Sequence, residues 1–463
     1  MDDHRHDALG AAGHPVLRTP FLDRLASEGV RFTQAYLPGG TRAAVCAPSR
    51  AMLHSGRSLF RLQGAGGTIP AEHPTLGEIL RATGYYTFHT GKWHNDKASF
   101  NRAFADGDEI FLGGMNDPWS TPLFRYDPGG VYASKLPFIR NPQQSNAIEQ
   151  RRGDHVHSGI HCTDIFCDRA AAHIRDYDRR EPFFLSLALM APHDPRTAPP
   201  DYHALYDPEQ TPLPENFAVN SPVDTGDLLV RDETLAAHPR DPAEVRRHLA
   251  DYHAMITHLD DGLARVMGAL EERGWEDNTW FVFTADHGLS LGSHGLMGKQ
   301  NLYEESVRVP LMIRAPGLAA GARREDPVWH LDLYPTLCRA AGVAPPETVE
   351  GRDLHPESTE PASPRTPDEL YFGYGSTIRA VREGPLKLIE YVRDGYRTTQ
   401  LFHLEDDPHE TCDLAALPNY RADVLRLRKA LRVAAERTGD TAHPTGERFW
   451  CRFPEDRPDP HGT

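Results

Sequence analysis

TWFVFTADHG, residues 279–288, is an apolar strand candidate that runs directly into an acidic residue and a histidine. Apolar residues recur at steps of three and four from about residue 243 to residue 274, which predicts a long helix ahead of this strand. Two similar strands are predicted in YYTFHTGK, which ends at Lys92, and in FFLSLALMAPH, which ends at His193. Helices and strands that alternate in this way predict an α/β fold with a large, mostly parallel sheet flanked by helices. The run FFLSLALM is continuously apolar, so we expect that strand to be buried on both faces.

Changes in composition predict three segments. Residues 1–354 carry the alternating helices and strands and are predicted to form the main α/β domain. Residues 355–369, HPESTEPASPRTPDE, are rich in Pro, Ser and Glu and predict a linker. Residues 370–463 are predicted to form a smaller subdomain with an antiparallel sheet, a covering helix near 421–437 and an irregular tail from about Gly439.

Two further local features are predicted in the main domain. Residues 115–160 have little periodicity and many Pro, Gly, Asn and Arg residues, which predicts a long loop beside a binding site. In TPFLDRLASEG, Thr19 is predicted to cap a helix that begins at Pro20 and stops at Gly29.

Charge and apolar content limit the classes of function. The chain has 50 Lys and Arg residues against 66 Asp and Glu residues, and this net charge of −16 argues against a nucleic-acid partner. No apolar run approaches the ~20 residues of a membrane span, so no membrane partner is expected. The start, MDDHRHDALG, does not resemble a signal peptide; a cytoplasmic location is expected as written, or a periplasmic or secreted one if a segment precedes it. The six cysteines are scattered and do not predict a disulfide framework.

Polar residues follow the predicted strands at their carboxyl ends. Lys92 and His94 follow the first, His193 follows the second, and Asp286 and His287 follow the third. Ligands of open α/β sheets bind outside the carboxyl ends of the strands, so we expect these side chains to converge at one edge.

A divalent metal site is predicted from four of the residues near this edge and the start of the chain. Asp286 and His287 are adjacent, and Asp2 and Asp3 offer a second pair of hard oxygen ligands. Three carboxylates and one imidazole suit Ca²⁺, with Mg²⁺ as the alternative. Taken singly, each residue is more simply explained as a turn cap or as polar surface, and only their combination at strand ends favours the metal.

VCAPSRAMLHSGR, residues 45–57, places Cys46 four residues before Arg50 with a proline between them. This stretch resembles the signature of the type I, formylglycine-dependent sulfatases of the alkaline phosphatase-like superfamily, and the match extends to Arg57. TPFLDRLASEGVRFTQAY, TGYYTFHTGKWHND, APHDPR, FTADHGLSLGSHGLMGKQNLYEESVRVPLMIRAPG, HLDLYPTLCRAAG and LFHLEDDPHETCDL also resemble that family. The resemblance covers most of residues 2–415 and implies a sulfatase that hydrolyses a sulfate monoester.

The resemblance implies a modified nucleophile. A formylglycine-generating enzyme would act as a transient partner and oxidise Cys46 to Cα-formylglycine, whose hydrate carries the attacking hydroxyl. The metal and Arg50 would favour deprotonation of that hydroxyl and hold it in line with sulfur.

The resemblance also implies roles for the surrounding cations and histidines. Lys92 and Lys299 would neutralise the sulfate oxygens together with the metal and Arg50. His193 and Lys299 are the candidates for protonating the leaving group, and His94 is the candidate base for release of sulfate. The implied catalytic residues are Cys46, Arg50, Lys92, His94, His193 and Lys299, and the implied metal ligands are Asp2, Asp3, Asp286 and His287.

Several alternatives remain open at this stage. One alternative is a phosphonate monoester or phosphodiester hydrolase with the same nucleophile. Another is an inactive homologue that only binds anions. Cys46 alone is most simply a small buried apolar residue, and Trp93 is predicted to pack in the interior. In DHVHSGIHC, the spacing of His155, His157 and His161 fits no defined metal site, so these residues are predicted to be polar loop or substrate-facing residues. Long loops around the site favour a carbohydrate sulfate over a small aryl or choline sulfate.

The sequence departs from the family at its start. Family members usually have an apolar strand before the Asp-Asp pair, whereas this chain begins Met1-Asp2-Asp3. We therefore expect the first strand to be missing ahead of Met1 and both aspartates to lie on a frayed terminus, where ordering a metal ligand costs conformational entropy.

Overall fold

The computed structural model describes residues 1–141, 143–355, 369–393 and 395–453. The predicted linker at 355–369 lies almost wholly outside the described residues, so its role stays a prediction. All six cysteines lie in the described part of the chain, and all are free.

The described residues contain eleven α-helices and fifteen strands. The helices are α1 Pro20–Glu28, α2 Cys46–Ser55, α3 Leu76–Ala82, α4 Lys97–Ala103, α5 Cys162–Arg175, α6 Pro200–His203, α7 Pro242–Arg273, α8 Glu304–Val307, α9 Leu333–Ala340, α10 Arg421–Thr438 and α11 Pro444–Arg452. The strands are β1 Val30–Tyr36, β2 Gly39–Gly40, β3 Tyr86–Lys92, β4 Asp106–Phe111, β5 Lys135–Ile139, β6 Ile148–Arg152, β7 Phe183–Ala188, β8 Phe281–Thr284, β9 Arg308–Arg314, β10 Ala322–Arg324, β11 Val328–Trp329, β12 Glu369–Tyr374, β13 Ile378–Glu383, β14 Leu386–Arg393 and β15 Tyr396–His403.

The main domain is built on two groups of strands. In one group, β1 pairs in parallel with β10 and β11 and antiparallel with β9, which in turn pairs antiparallel with β8. The other group has the order β4-β3-β7 and is fully parallel. Among the described strands, β7 and β8 each lie at the edge of their group. The predicted α/β class is therefore confirmed, with the sheet divided into two parts.

A cavity of about 880 Å³ lies between the edges of β7 and β8. The residues of β7 line this cavity and are only half-buried, so the expectation that this strand is buried on both faces is wrong. The other apolar side chains of the walls come mainly from the flanking helices and include Leu76, Leu80, Leu263, Val266, Leu270, Leu333 and Leu337.

Met1 joins the two strand groups at one end of this cavity. Its α-amino group donates to the Thr284 carbonyl at 2.9 Å, and its carbonyl accepts from the Asp286 amide at 3.0 Å. On the other side, the Asp2 amide donates to the Ala191 carbonyl at 3.3 Å. With these bonds in place, Asp2 is 0% exposed and Asp3 is 2% exposed. The expectation of a frayed terminus is therefore wrong for this structure.

Helix α1 is capped from a distant part of the chain. Thr19 occupies the predicted cap position but makes no capping bond, and its hydroxyl donates to Asp23 Oδ1 at 3.0 Å instead. The carboxylate of Asp260 in α7 accepts from the amides of Phe21 and Leu22 at 2.9 and 2.8 Å. The predicted helix is confirmed, and the predicted cap is wrong because a tertiary contact supplies it.

The C-terminal subdomain contains the predicted antiparallel sheet, in the order β15-β14-β13-β12-β2. Its last neighbour, β2, comes from the main domain and pairs in parallel with β12. Helix α10 confirms the predicted covering helix. The expectation of an irregular tail from Gly439 is wrong, because α11 follows it and Phe449 is fully buried.

The segment 115–160 is only partly the loop that its sequence predicts. Strands β5 and β6 form an antiparallel hairpin within it, with Ile139 and Ile148 exposed. Among the described residues, no helix is both long and apolar enough to span a membrane.

Candidate active site

Cys46 is the first residue of α2 and is buried at 2% exposure. Its Sγ lies 3.2 Å from His287 Nε2 and 3.6 Å from Lys299 Nζ. Burial by itself raises the pKa of the thiol, but the charges of Lys299, Lys92 and His287 outweigh it and lower that pKa well below its usual value. The helix N-terminus favours negative charge at the same position. Residue 46 therefore lies where an anionic nucleophile is stabilised.

Arg50 lies one turn further along α2, on the same face as Cys46. Its Nε donates to Asp286 Oδ2 at 3.0 Å, and its Nη1 donates to the Lys92 carbonyl at 3.0 Å. Its Nη2 lies 3.6 Å from Asp2 Oδ2. The guanidinium thus joins the ends of two strands and the start of the chain beside the nucleophile.

The four predicted metal ligands converge on Cys46. His287 Nδ1 lies 3.1 Å from Asp3 Oδ1, and His287 Nε2 lies 3.8 Å from Asp2 Oδ1 and 3.6 Å from Asp286 Oδ1. One ligand atom from each of Asp2, Asp3, Cys46 and His287 lies within 4.8 Å of the others. All four predicted ligands are buried.

These residues fit a hard divalent cation. Asp2 Oδ1 is buried and has no hydrogen-bond partner, which leaves one carboxylate oxygen available as a ligand. Burial, followed by repulsion from Asp2, raises the pKa of Asp286 to about 6. A bound Ca²⁺ or Mg²⁺ ion would relieve this repulsion between carboxylates, and carboxylate oxygens are the ligands that these ions prefer.

Two buried lysines pair with the carboxylates of Asp2 and Asp3. Lys92 Nζ donates to Asp2 Oδ2, and Lys299 Nζ donates to Asp3 Oδ1 at 2.8 Å. Burial lowers the pKa of Lys299, but Asp3 and Cys46 outweigh it and raise that pKa well above its usual value. Lys299 therefore serves as a fixed positive charge, and Lys92 is likewise buried, at 1% exposure.

His193 is held as an oriented donor. Its Nδ1 donates to the Asp194 carbonyl at 2.7 Å, and its Nε2 lies 3.9 Å from Asp3 Oδ2. Burial is the largest influence on its pKa and lowers it, but Asp3, Asp2 and Cys46 together outweigh burial and raise that pKa overall. The carboxylate of Asp194 is in turn paired with Arg231. This arrangement favours a protonated imidazole at the edge of the site.

His94 has a different environment from His193. It lies in the left-handed region with a φ of 63°, and its Nδ1 is buried without a hydrogen-bond partner. Burial lowers its pKa, and an interaction with Cys46 opposes this effect only in part. A neutral imidazole beside residue 46 is the form that a base requires.

Comparison with known proteins now defines the family. Residues 1–343 match the family model described as Sulfatase, and residues 292–437 match the model described as N-sulphoglucosamine sulphohydrolase, C-terminal. The chain belongs to the sulfatase family. Its enzyme class is that of the sulfuric ester hydrolases.

Relatives of this sulfatase match over most of their length. The multifunctional alkaline phosphatase superfamily protein PehA of Trinickia caryophylli is 30% identical, over 88% of this chain and 87% of the relative. The choline-sulfatase of Rhizobium meliloti is 30% identical, over 88% of this chain and 79% of the relative. The N-acetylglucosamine-6-O-sulfatase of Bacteroides thetaiotaomicron is 25% identical, over 90% of this chain and 82% of the relative.

Solved structures confirm the fold of the sulfatase. A protein in complex with its substrate D-glucosamine-2-N,6-O-disulfate superposes with a TM-score of 0.75 at 22% identity, covering 96% of this chain and 97% of the other. The phosphonate monoester hydrolase of Agrobacterium radiobacter superposes with a TM-score of 0.72 at 21% identity, covering 94% of each chain. At these identities the likeness shows the alkaline phosphatase-like fold alone.

Two residues of the sulfatase that the sequence does not single out hold α2 against the segment after β8, which carries Asp286 and His287. Ser49 Oγ donates to the Asp286 carbonyl at 2.5 Å. His330 is fully buried, and its Nε2 donates to the Ser49 carbonyl at 3.0 Å. Ser49 lies inside the quoted motif, which is the only local signal for it. His330 is 281 residues away; it begins the quoted segment HLDLYPTLCRAAG, but nothing in that segment assigns it to the site.

The structure also places Trp93 and the three histidines of DHVHSGIHC. Trp93 packs in an aromatic cluster, as predicted. His161 is buried and caps α5, since its Nδ1 accepts from the Thr163 amide at 3.2 Å. His155 and His157 form a separate cluster and do not join the ligand group around Cys46.

Proposed function

We propose that this sulfatase hydrolyses a sulfate monoester of a saccharide, with residue 46 as the nucleophile after its conversion to formylglycine. One observation carries the proposal: Cys46 Sγ lies within 3.6 Å of both His287 and Lys299, in a buried pocket that also holds the three predicted carboxylate ligands. A hydrated aldehyde at this position supplies one hydroxyl for attack and a second hydroxyl whose deprotonation releases sulfate.

A divalent cation held by Asp2, Asp3, Asp286 and His287 would supply Lewis-acid stabilisation of the sulfate oxygens. Arg50 is fixed by Asp286, so its charge is oriented before substrate enters. Preorganised charge of this kind stabilises the transition state without reorganisation.

Proton transfers are assigned from the two histidine environments. His193 favours the protonated state, and its position near Asp3 makes it the donor to the leaving oxygen, with Lys299 as the second candidate. His94 favours the neutral state and interacts with Cys46, so it takes the proton from the second hydroxyl. The two roles require opposite protonation states, and the two environments favour those states.

Burial of Cys46 implies when its modification occurs. The thiol is 2% exposed and Arg50 is 5% exposed, so a modifying enzyme cannot reach this stretch in the folded chain. A formylglycine-generating enzyme would therefore act on the segment before it is buried.

A saccharide substrate is supported by one curated relative, the N-acetylglucosamine-6-O-sulfatase. The choline-sulfatase is somewhat more similar in sequence, and a phosphonate monoester hydrolase shares the fold, so small sulfates and phosphonate monoesters belong in the same assay.

The test is co-expression with a formylglycine-generating enzyme, followed by mass spectrometry and a substrate panel. The tryptic peptide 43–50 should show the mass decrease that accompanies replacement of the thiol group by an aldehyde. The panel should contain sulfated glucosamines, an aryl sulfate, choline sulfate and an aryl phosphonate monoester. Cys46→Ala should abolish turnover, whereas Cys338→Ala, a change at a buried cysteine in α9, should not.

Two results would oppose the proposal. An unmodified thiol at position 46 together with full turnover would exclude formylglycine. Faster turnover of the phosphonate monoester than of every sulfate would assign the chain to the alternative activity.

A further inference from the structure

A second cluster of metal-ligating side chains lies on β4 and the segment after the β5–β6 hairpin. His155 Nε2 lies 2.8 Å from Glu109 Oε2, and His157 Nε2 lies 3.0 Å from Glu109 Oε1. One ligand atom from each residue lies within 4.8 Å of the other two. The side chains of Glu109 and His155 are mostly buried, and that of His157 is 39% exposed, so a solvent ion can reach the cluster.

The backbone holds these residues in place. The parallel pairing of β3 and β4 shifts register between His89 and Gly91, and Glu109 lies in the corresponding irregular part of β4 with a φ of 53°. A non-glycine residue at positive φ is uncommon and needs support from its surroundings. On the other side, the His155 backbone pairs with Leu123 through a bridge that includes a 2.9 Å hydrogen bond.

Asp154 orients the first imidazole. Its carboxylate bonds His155 Nδ1, which leaves His155 Nε2 directed at Glu109. A carboxylate that holds the outer nitrogen of a histidine is the usual support of a histidine metal ligand.

We propose that Glu109, His155 and His157 form a binding site for a borderline divalent transition-metal ion, with Zn²⁺ as the best match. Two imidazoles and one carboxylate with a solvent-accessible fourth position form a zinc ligand set. This donor set is softer than the carboxylate-rich group around Cys46, so the two sites select different cations. The inference does not depend on the proposed sulfatase reaction.

The carboxylate–imidazole distances require only a small adjustment. Ligand atoms of a tetrahedral zinc site lie roughly 3.3 Å apart. The oxygen–nitrogen distances here are 2.8–3.1 Å, so the ligands need to open by a few tenths of an ångström. The competing explanation is an ion pair between Glu109 and a protonated imidazole, which would bind no metal.

The test is titration of the chelator-stripped full chain with Zn²⁺ by calorimetry and with Co²⁺ by visible absorption. Ca²⁺ is present throughout to fill the carboxylate site, and the Cys46→Ala background removes a competing thiolate. We expect one Zn²⁺ per chain, a Co²⁺ ligand-field spectrum, and a rise in the thermal midpoint on adding Zn²⁺. His157→Ala should abolish all three, and Asp154→Asn should weaken binding roughly 10–100-fold.

His203→Ala is the matched control, because His203 also pairs with a carboxylate, Asp251, at 3.2 Å but belongs to none of the potential ligand groups found among the described residues. It should bind Zn²⁺ like the parent. His157 is partly exposed, so its loss should not unfold the chain; an unchanged thermal midpoint without metal checks this. Absence of Zn²⁺ binding in the parent, or equal binding in the parent and His157→Ala, would overturn the proposal.

Discussion

An apolar segment of about six residues fused ahead of Met1 is expected to enter the cavity between β7 and β8 and to stabilise the protein. Met1 donates to Thr284 and accepts from Asp286, which is the hydrogen-bond pattern of a residue in a strand parallel to β8. β7 has six residues, so a segment of that length spans its open edge. The fusion also replaces a buried amino group, whose pKa burial lowers to about 6, with a neutral peptide bond.

The size of the effect follows from the apolar walls of the cavity. Burying six apolar side chains contributes roughly 12 kcal/mol at about 2 kcal/mol each. Ordering six residues costs about 9 kcal/mol of conformational entropy, and each hydrogen bond to β7 or β8 contributes ~1 kcal/mol. We therefore expect the free energy of unfolding to rise by roughly 3 kcal/mol from burial alone and by roughly 6 kcal/mol with three such hydrogen bonds. Turnover should rise with it, because Asp2 and Asp3 would follow a continuous strand.

The assay compares three proteins by urea unfolding and by turnover after formylglycine formation. They are the present chain, the chain with an alternating Val-Ile segment ahead of Met1, and the chain with a Gly-Ser segment of equal length. Only the apolar segment should raise the unfolding midpoint and the turnover. Equal values for the apolar and the Gly-Ser fusions would show that the cavity does not accept a strand and would refute the reasoning.

Three further predictions concern buried charges and the metal. Lys387→Met should destabilise the chain by about 3–5 kcal/mol in urea unfolding, because Lys387 lies 2.9 Å from both Glu304 and Glu410 and its loss removes the charge shared by these two buried carboxylates; an unchanged midpoint would contradict this. Burial lowers the pKa of His330 to about 4. The stability that the neutral imidazole contributes is therefore complete above pH 6.5, and about 3 kcal/mol of it is lost as the pH falls towards 4. The His330→Asn variant should lose less stability over that interval, and parallel pH profiles for the two proteins would show that His330 is not responsible. Treatment with a calcium chelator should abolish turnover and weaken the binding of inorganic sulfate, and Ca²⁺ should restore both; full turnover after chelation would argue against a required metal.

Much of the active site follows from the sequence, because its residues lie directly after strands. Apolar runs define β3, β7 and β8, and the ends of these strands bring Lys92, His193 and Asp286 to one edge. Local patterns define those strands, and the fold then brings their ends together. The same reasoning cannot supply Ser49 and His330, because their contact joins positions 281 residues apart.

Local patterns predict less well where a tertiary contact decides the structure. The cap of α1 comes from Asp260, about 240 residues away, although Thr19 has the right residue type at the right position. Helix α11 has few apolar residues, and the burial of Phe449 against the C-terminal sheet is not visible in its sequence. The spacing of His155, His157 and His161 predicts no metal site, and the sequence does not reveal the cluster of the first two because its third member, Glu109, comes from β4.

The balance of charge around Cys46 gives a physical reason to expect a cation in this site. Three carboxylates face Arg50, Lys92 and Lys299, and each of these cations is already paired with a carboxylate. A sulfate monoester brings a further negative charge. Arg50 and the two lysines can bind it only if they leave their carboxylate partners unpaired in a buried site, and this costs several kcal/mol. A divalent ion among the carboxylates removes that conflict, since it satisfies them and leaves the lysines free to bind the sulfate oxygens. Binding of the metal and of the anion should therefore be positively coupled, and each should be weak without the other.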